Sequence, residues 1–345
     1  MSNTENSKKP KNKKKISAII VGAIILIIIV LVGGSYLFVN SVLDKVHRVT
    51  INNNELGVSK QAELNSLNNK GVHNIYLFGV DEPEGVPGRS DAIMVMSVND
   101  TKHTLKLVSI LRDSYVPIPG HKAQKVNAAY AFGGPQLAME TLNKDYNLDI
   151  HNFISCNFTS LPEIINILGG VHVDLTPEEV YEIKFPYDQL KTLDHEPNAP
   201  NITHAGPQTL DGLQTMAYLR IRHKTGGDYA RTYRQRQVIE QLFQRVENTP
   251  ITEYPELLEK VAPALETNMS DAQIWKFGEE ILGTGCKSIE EARVPVDSNC
   301  SSKTVNGIWY LVFNQAETNE NLHNFIYGDA KLPNQEYLSP SKDNN

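Results

Sequence analysis

The chain has 345 residues, enough for one large domain or two ordinary ones, and its 40% hydrophobic and 21% charged content is typical of a folded protein. The net charge of −7 conceals an asymmetry, because residues 1–15 carry +5 and the remainder carries −12. An acidic body argues against nucleic acid as a partner, so a positive field for an anionic substrate must be local.

An uncharged apolar segment, residues 16–39, follows the lysine-rich start. Its length exceeds the ~20 residues that span a bilayer, whereas a cleaved signal peptide has a shorter apolar core of about 7–15 residues. Cleavage near Gly33-Gly34-Ser35 remains an alternative. Lysines before the segment and few after it place the N-terminus inside the cell. The sequence predicts a cytoplasmic tail over residues 1–15, a single transmembrane helix and an extracellular body attached to the cell membrane.

The elements after this segment alternate between strands and helices. Residues 40–70 are polar and predict a stalk with one short helix. Three apolar segments linked by turn-rich sequence then predict strands over residues 75–80, 92–98 and 105–111. Further strands are predicted over residues 151–158 and 171–175, and helices over residues 134–142, 161–168, 209–219, 256–265 and 271–282.

Two segments interrupt this alternation. Residues 183–208 lack periodicity and predict a long loop, and residues 220–222 are typical of an extended segment before a strong amphipathic helix. The whole pattern favours an α/β domain with a mixed sheet over residues 71–248. A helical and strand extension packed on it, residues 249–328, and a loose tail, residues 329–345, complete the prediction.

Four charged residues stand at the ends of the three predicted strands. Asp81 follows the first, Arg89 and Asp91 precede the second, and Arg112 follows the third. If consecutive strands run in opposite directions, all four meet at one edge of the sheet. Each aspartate taken alone is explained by turn capping. Together with two guanidiniums, two carboxylates suit a divalent cation and a phosphate better than a structural salt bridge.

Further basic residues lie later in the chain. Arg220 and Arg222 alternate in the predicted extended segment and so share a face. Arg231 and Gln235 share a face near a helix N-terminus, where free N–H groups favour phosphate, and Lys125 adds a point charge. Asp228 is expected at the N-cap of this helix. The remaining arginines, Arg234, Arg236 and Arg245, are interpreted as solvated surface residues.

The three cysteines show no metal-ligand spacing. Cys156 lies in an apolar segment and is interpreted as a packed thiol, whereas pairing of Cys286 with Cys300 stays open.

Eight sequence blocks resemble the LytR-CpsA-Psr (LCP) family and occur in its order. They are residues 74–81 (NIYLFGVD), 88–91 (GRSD), 109–116 (SILRDSYV), 125–134 (KVNAAYAFGG), 168–171 (LGGV), 206–212 (GPQTLDG), 218–222 (YLRIR) and 227–237 (GDYARTYRQRQ). The sequence departs from the family at Leu111, where proline is usual, and at Ala128, where histidine is usual. The resemblance implies an α-β-α sandwich with a central mixed sheet.

The resemblance also implies an enzyme that moves an anionic glycopolymer, of the wall teichoic acid or capsular type, from undecaprenyl pyrophosphate to peptidoglycan. The product would be a phosphodiester on a muramic acid hydroxyl. Two alternatives remain open: a phosphohydrolase that uses water as the acceptor, and a non-enzymatic regulatory protein that binds lipid or polymer.

Residue roles are expected as follows. Asp81 and Asp91 hold Mg²⁺, with Mn²⁺ as a substitute, and Asp81 is the candidate general base. Arg89 binds phosphate or orients Asp91 at the catalytic centre. The pyrophosphate is held by Arg112, Lys125, Arg220, Arg222, Arg231 and Gln235. A tunnel for the polyprenyl chain is hypothesised at Phe153, Phe158, Ile164 and Leu168, for which an ordinary core is the alternative.

Overall fold

The structure is a computed structural model that describes residues 42–81, 88–157, 161–193, 198–221, 227–248, 250 and 253–332. The strands are β1 (His47–Arg48), β2 (Val72–Asp81), β3 (Arg89–Asn99), β4 (Thr104–Ile110), β5 (Tyr115–Val116), β6 (Gln124–Lys125), β7 (Phe153–Asn157), β8 (Val171–Leu175), β9 (Gly206–Leu210), β10 (Leu265–Thr267), β11 (Glu290–Val294), β12 (Cys300–Val305) and β13 (Ile308–Phe313). The helices are α1 (Lys60–Asn68), α2 (Ala128–Tyr146), α3 (Leu161–Ile167), α4 (Pro177–Leu193), α5 (Gly212–Tyr218), α6 (Gly227–Asn248), α7 (Tyr254–Val261), α8 (Asp271–Thr284) and α9 (Gln315–Ile326).

A seven-stranded sheet with the order β1-β10-β7-β2-β3-β4-β11 forms the centre of the fold. Strand β3 runs antiparallel to both β2 and β4, whereas β7 runs parallel to β2 and β11 runs parallel to β4. The carboxyl ends of β2, β4, β7 and β11 therefore share one edge with the start of β3, which we call the upper edge. The predicted mixed sheet and antiparallel order of the first three strands are confirmed.

Side chains alternate along the central strands between two separate cores. Ile75 and Leu77 of β2 face a core shared with helices α3 to α8, whereas Tyr76 and Phe78 face a core shared with α2 and α9. Burying each such side chain contributes about 1.5–3 kcal/mol. Helices thus cover both faces, which makes the α-β-α layering implied by the resemblance.

The C-terminal part of the chain is built into the sheet. Strand β10 pairs with β7, and β11 adds to the outer side of β4. Strand β1, from the segment expected to form a stalk, pairs with β10, and the preceding residues Val42, Leu43 and Val46 are buried in the core. Residues 249–328 therefore complete the central sheet, in addition to packing helices on it.

Two local predictions are wrong. Residues 183–208 were expected to form a loop, but α4 continues to Leu193 with Pro186 inside it, and β9 begins at Gly206. Arg220 is not extended, because its backbone N–H donates to the carbonyl of Ala217 in a turn after α5. In α4, Ile183, Tyr187 and Leu190 are buried in the core at helical spacing, so this apolar face prevails over the turn-rich composition of the segment.

The predicted membrane span, residues 16–39, lies outside the described residues, as does most of the predicted loose tail. Among the helices that the structure describes, none has both the length and the apolar character needed to cross a bilayer.

Candidate active site

A β-bulge at the upper edge gives Asp91 its position. Gly79 pairs with Ala92 while Val80 pairs with Ser90, so Asp91 is the extra residue of β3. A bulge bends the strand locally and changes the direction in which a side chain points, and such irregularities are frequent beside active sites. The pairing resumes with Asp81 opposite Arg89, which makes these two residues cross-strand neighbours.

Four charged side chains form a chain of alternating sign at this edge. Arg112 Nη1 lies 2.5 Å from Asp91 Oδ2, and Arg112 Nε lies 3.6 Å from Asp113 Oδ2. Lys125 Nζ lies 2.6 Å from Asp113 Oδ1. The second oxygen of Asp91 accepts a hydrogen bond of 2.9 Å from Asn127 Nδ2. Both carboxylates thus hold cations in fixed positions, with Arg112 at the centre.

The formal charges at this end of the sheet cancel. Together with Asp81 and Arg89, the four side chains make three carboxylates and three cations: Asp81, Asp91, Asp113, Arg89, Arg112 and Lys125. A bound pyrophosphate needs further positive charge, which must come from other elements.

Helix α6 brings a further cation, Arg231, to the upper edge. The guanidinium of Arg293, near the end of β11, lies 4.1 Å from the ring centroid of Tyr229 in the first turn of α6. Further along α6, Arg236 Nη1 donates to Ser109 Oγ of β4 at 3.1 Å. These two contacts align the start of α6 with the upper edge, and Arg231 lies on α6 between them.

Arg231 and Gln235 are one helical turn apart and are both fully buried. The expectation that they share a helix face is consistent with their positions on α6. Asp228, expected at the N-cap, instead lies in the first turn, because α6 begins at Gly227. Neither amide atom of Gln235 has a hydrogen-bond partner among the described residues. Burying an amide without hydrogen-bond partners lowers folding stability by about 1–3 kcal/mol. A bound ligand that supplied these partners would account for the amide at this position.

Arg220 lies beside the same helix. It follows α5 and is half-buried, while Leu219 and Ile221 on either side are buried in the core as expected. The Nη1 atom of Arg234 in α6 donates to the carbonyl oxygen of Ile221 at 3.3 Å. The end of α5 is thereby fixed against the second turn of α6. Arg222 lies outside the described residues.

The interpretation of Arg234 and Arg236 as surface residues is wrong. Arg234 is 2% exposed and pairs with Glu179 at 2.9 Å, and Arg236 is 1% exposed and pairs with Glu291 at 3.1 Å. Burial lowers the pKa of Arg236 and raises the pKa of Glu291. Both arginines anchor α6 to neighbouring elements, whereas Arg245 is exposed as predicted.

Known proteins are similar to this chain in sequence and in fold. The model of the LytR_cpsA_psr family matches residues 36–326. The chain belongs to the LytR-CpsA-Psr family. It is 30% identical over 299 residues to the polyisoprenyl-teichoic acid–peptidoglycan teichoic acid transferase TagU of Oceanobacillus iheyensis, covering 83% of this chain and 86% of the relative.

Solved structures of this family have the same fold. A structure of TagT bound to LIIa-WTA aligns with a TM-score of 0.58 and 26% identity, covering 75% of this chain and 90% of that one. A second TagT structure, with bound octaprenyl pyrophosphate lipid, aligns with a TM-score of 0.55 and 25% identity, covering 75% and 91%. The prediction of an enzyme, a transferase of the LytR-CpsA-Psr family, is confirmed by these relatives.

The sequence analysis assigned no role to three residues of the site, Asp113, Asn127 and Arg293. The sequence contains signals for the first two. Asp113 adjoins Arg112 within the family block SILRDSYV, and Asn127 follows Lys125 in KVNAAYAFGG. Arg293 is 5% exposed, and its Nη2 pairs with Asp297 at 2.7 Å. No local motif singles it out, because its place at the site depends on β11 joining β4.

The predicted Mg²⁺ ligands, Asp81 and Asp91, are both buried at the upper edge. Within the described ranges, no group of three or more His, Cys, Asp or Glu side chains is arranged to hold a metal ion. Two carboxylates nevertheless suffice for Mg²⁺ when substrate phosphates and water complete its shell. The residues fit a metal held jointly with a phosphate, in which Asp91 would serve both the metal and Arg112.

The structure separates the candidate tunnel residues. Phe153 belongs to the core beneath α2, whereas Ile164 and Leu168 belong to the core on the opposite face of the sheet, and Phe158 lies outside the described residues. A cleft of about 400 Å³ includes Leu168 in its wall, but Arg245 and Lys260 also line it. Phe153 therefore cannot line one tunnel together with Ile164 and Leu168.

The three cysteines are free thiols. Burial raises the pKa of Cys156, as expected for a packed thiol. Cys286 precedes β11 and contacts the carbonyl of His103, whereas Cys300 follows β11 and lies 3.5 Å from the Tyr229 hydroxyl. The possible pairing of Cys286 with Cys300 does not occur, because the strand separates them.

Proposed function

We propose that this protein transfers an anionic glycopolymer, of the wall teichoic acid or capsular type, from undecaprenyl pyrophosphate to peptidoglycan. The observation that carries this proposal is the buried chain from Asp91 through Arg112 and Asp113 to Lys125, next to a helix that presents Arg231 and Gln235. The carboxylates hold the two cations in fixed positions, and α6 adds a further cation. Phosphoryl transfer depends mainly on such positioning and charge stabilisation. The names of the similar transferases and of the lipid-bound TagT structures support the same substrate class.

The proposed reaction joins the polymer to a sugar hydroxyl of peptidoglycan. The hydroxyl oxygen attacks the phosphorus that carries the polymer, and the bond to the prenyl phosphate breaks. The prenyl phosphate leaves with the electron pair, and the hydroxyl proton passes to a general base. Asp81 is our candidate for this base, because it lies at the upper edge and is 8% exposed.

The cations have distinct proposed roles. Arg112 contacts the reacting phosphate, held in place by Asp91 and Asp113. Arg89, exposed and opposite Asp81, orients the carboxylates or binds the outer phosphate. The remaining phosphate-binding groups are Lys125, Arg220, Arg222, Arg231 and Gln235. Asp81 and Asp91 would hold Mg²⁺, or Mn²⁺ in its place, and the bound metal would supply positive charge to the phosphates.

The hydrocarbon tail is proposed to lie on the sheet face that carries α6, because a pyrophosphate held by Arg231 starts on that side. Ile164 and Leu168 belong to that core, whereas Phe153 does not. The donor would reach the site from the membrane to which residues 16–39 are proposed to anchor the protein, with the N-terminus in the cytoplasm. Replacing Ile164 with tryptophan should then reduce lipid retention by the folded variant, and unchanged retention would argue for an ordinary core.

An acceptor assay tests the reaction. The full-length protein is incubated with a polyprenyl-pyrophosphate-linked polymer and peptidoglycan, and polymer joined to peptidoglycan is measured beside released phosphate. We expect joined polymer from the unaltered protein and at least a hundredfold less from Asp81→Ala and Arg112→Ala, because each removes a charge that acts in the transition state. Phosphate release without joined polymer would instead identify a hydrolase, and near-normal joining by either variant would reject the site.

A further inference from the structure

The large aromatic side chain of Trp309 is exposed to solvent beside the site. It is one of two tryptophans in the chain, and it is 45% exposed. Tryptophan is among the side chains that are highly buried on average. An exposed indole next to a cation provides both an apolar face and a charged group to which a ligand can bind.

The hairpin that carries Trp309 is fixed to the site. Strands β12 and β13 are joined by Asn306 and Gly307, both with positive φ (51° and 76°), as a two-residue hairpin turn of type I′ requires. The backbone N–H of Leu311 donates to the carbonyl of Asp113 at 3.0 Å. Trp309, two residues before Leu311 in β13, is therefore positioned by the same residue that bridges Arg112 and Lys125.

The aromatic ring and a cation lie side by side. Lys125 Nζ is 5.6 Å from the centroid of the Trp309 ring and also contacts Asp113. A ligand that engages both groups needs an apolar face for the indole and an anionic group for the ammonium. A pyranose ring that carries a phosphate has both, since its axial C–H bonds form an apolar face and its phosphate is within a few bonds.

We propose that Trp309 is the platform for the sugar ring that is joined to the pyrophosphate of the donor. This subsite rests on the proposed function and adds to it a determinant of donor recognition: the indole selects a lipid pyrophosphate that carries a sugar over one that does not. Lys125 holds the phosphate at the edge of the stacked ring. The acceptor glycan and a lipid surface are the competing occupants.

Trp309 itself provides the first measurement. In a full-length Trp275→Phe variant, Trp309 is the sole tryptophan, so its emission reports on this surface alone. We expect octaprenyl-pyrophosphoryl N-acetylglucosamine to change that emission, and octaprenyl pyrophosphate to change it much less. Equal changes with the two lipids would overturn the subsite.

Affinity measurements with matched variants complete the test. We expect Trp309→Ala to weaken binding of the sugar-bearing lipid about tenfold, the equivalent of one aromatic stacking contact, with octaprenyl pyrophosphate changed less than twofold. Trp309→Phe should weaken binding of the sugar-bearing lipid less than Trp309→Ala, because it keeps an aromatic ring. Ile308→Ala is the control, because Ile308 is equally exposed at 45% and points to the other side of the hairpin.

The other outcomes reject the subsite in distinguishable ways. Equal loss in Trp309→Ala and Ile308→Ala for both lipids would identify the hairpin as a membrane contact. Loss confined to a muramyl glycan added as acceptor would assign Trp309 to the acceptor. Failure of the unaltered protein to bind either lipid would overturn the proposed function itself.

Discussion

Arg112 and Asp91 form a contact of 2.5 Å, and their side chains are 9% and 6% exposed. A pair buried to this degree gains little net stability, because desolvating both charges offsets most of their attraction. The arrangement is better explained by the site it forms. In the proposed function, Asp91 would orient the guanidinium and compensate its charge before the phosphate binds, so that the phosphate would meet a cation already in position.

A double-mutant cycle should detect this coupling in stability. Asp91→Ala and Arg112→Ala should each lower the free energy of unfolding, by about 3 kcal/mol, because each removes the nearest opposite charge of a buried side chain. Asp113 and Asn127 then remain as the contacts of Arg112 and Asp91. The double variant should lose less than the sum, with a coupling energy of about 1–3 kcal/mol in urea denaturation. Strict additivity would show that the two side chains do not interact in solution.

Replacing Gln235 should raise the stability of the protein and lower its activity. In Gln235→Leu an apolar group of similar size replaces the buried amide, which has no hydrogen-bond partner in the part of the chain that the structure describes. We therefore expect the free energy of unfolding to rise by about 1 kcal/mol. Transfer should fall, since the amide no longer meets the substrate. Gln244→Leu, at an exposed position of the same helix, is the control and should change neither quantity. A destabilised Gln235→Leu protein would mean that the amide has partners in solution.

Asp145 in α2 should make stability depend on pH. Burial raises the pKa of its carboxyl from 3.8 to about 7, and Lys144 partly opposes this shift. The folded state therefore holds the proton more tightly than the unfolded state, and the stability that this contributes is complete below about pH 4 and lost as the pH rises through 7. Asparagine does not titrate, so the free energy of unfolding of Asp145→Asn, relative to that of the unaltered protein, should increase as the pH rises from 5 to 8. Urea titrations at each pH measure this difference.

Asp149 provides a control of opposite sign. A hydrogen bond from His151 lowers the pKa of the Asp149 carboxyl, so its contribution to stability is present above the unfolded pKa and lost as the pH falls through the folded one. Asp149→Asn should therefore lose stability at neutral pH. Parallel behaviour of the two variants would contradict both assignments.

The three thiols should differ in reactivity. Cys286 and Cys300 are half-buried, whereas Cys156 is buried with a raised pKa and so forms little thiolate. Treating the folded, unreduced protein with N-ethylmaleimide should add two labels by mass spectrometry, and urea should allow the third. A disulfide between Cys286 and Cys300 would leave the unreduced protein with no labels before unfolding.

Local patterns in the sequence predicted the first half of the site. Because β2, β3 and β4 are consecutive and joined by short links, their order follows from the sequence, and so does the meeting of Asp81, Arg89 and Arg112 at one edge. The bulge that positions Asp91 was not predictable in this way, since nothing in GRSD indicates which residue lacks a partner across the strand. The turn residues Asn306-Gly307 do predict a hairpin, but not that it packs against Asp113.

The sequence by itself determined the family, the α/β class and the residues that carry charge, because these depend on local periodicity and on ordered motifs. Only the tertiary structure decided which charges meet. Arg234 and Arg236 resemble surface arginines in sequence, yet they are buried against Glu179 and Glu291, which are distant along the chain. Phe153 and Ile164 are near each other in a mostly apolar region of the sequence, yet they belong to the cores on opposite faces of the sheet. Long-range pairing decides both cases, since burial is set by which element covers a side chain and not by its sequence neighbours.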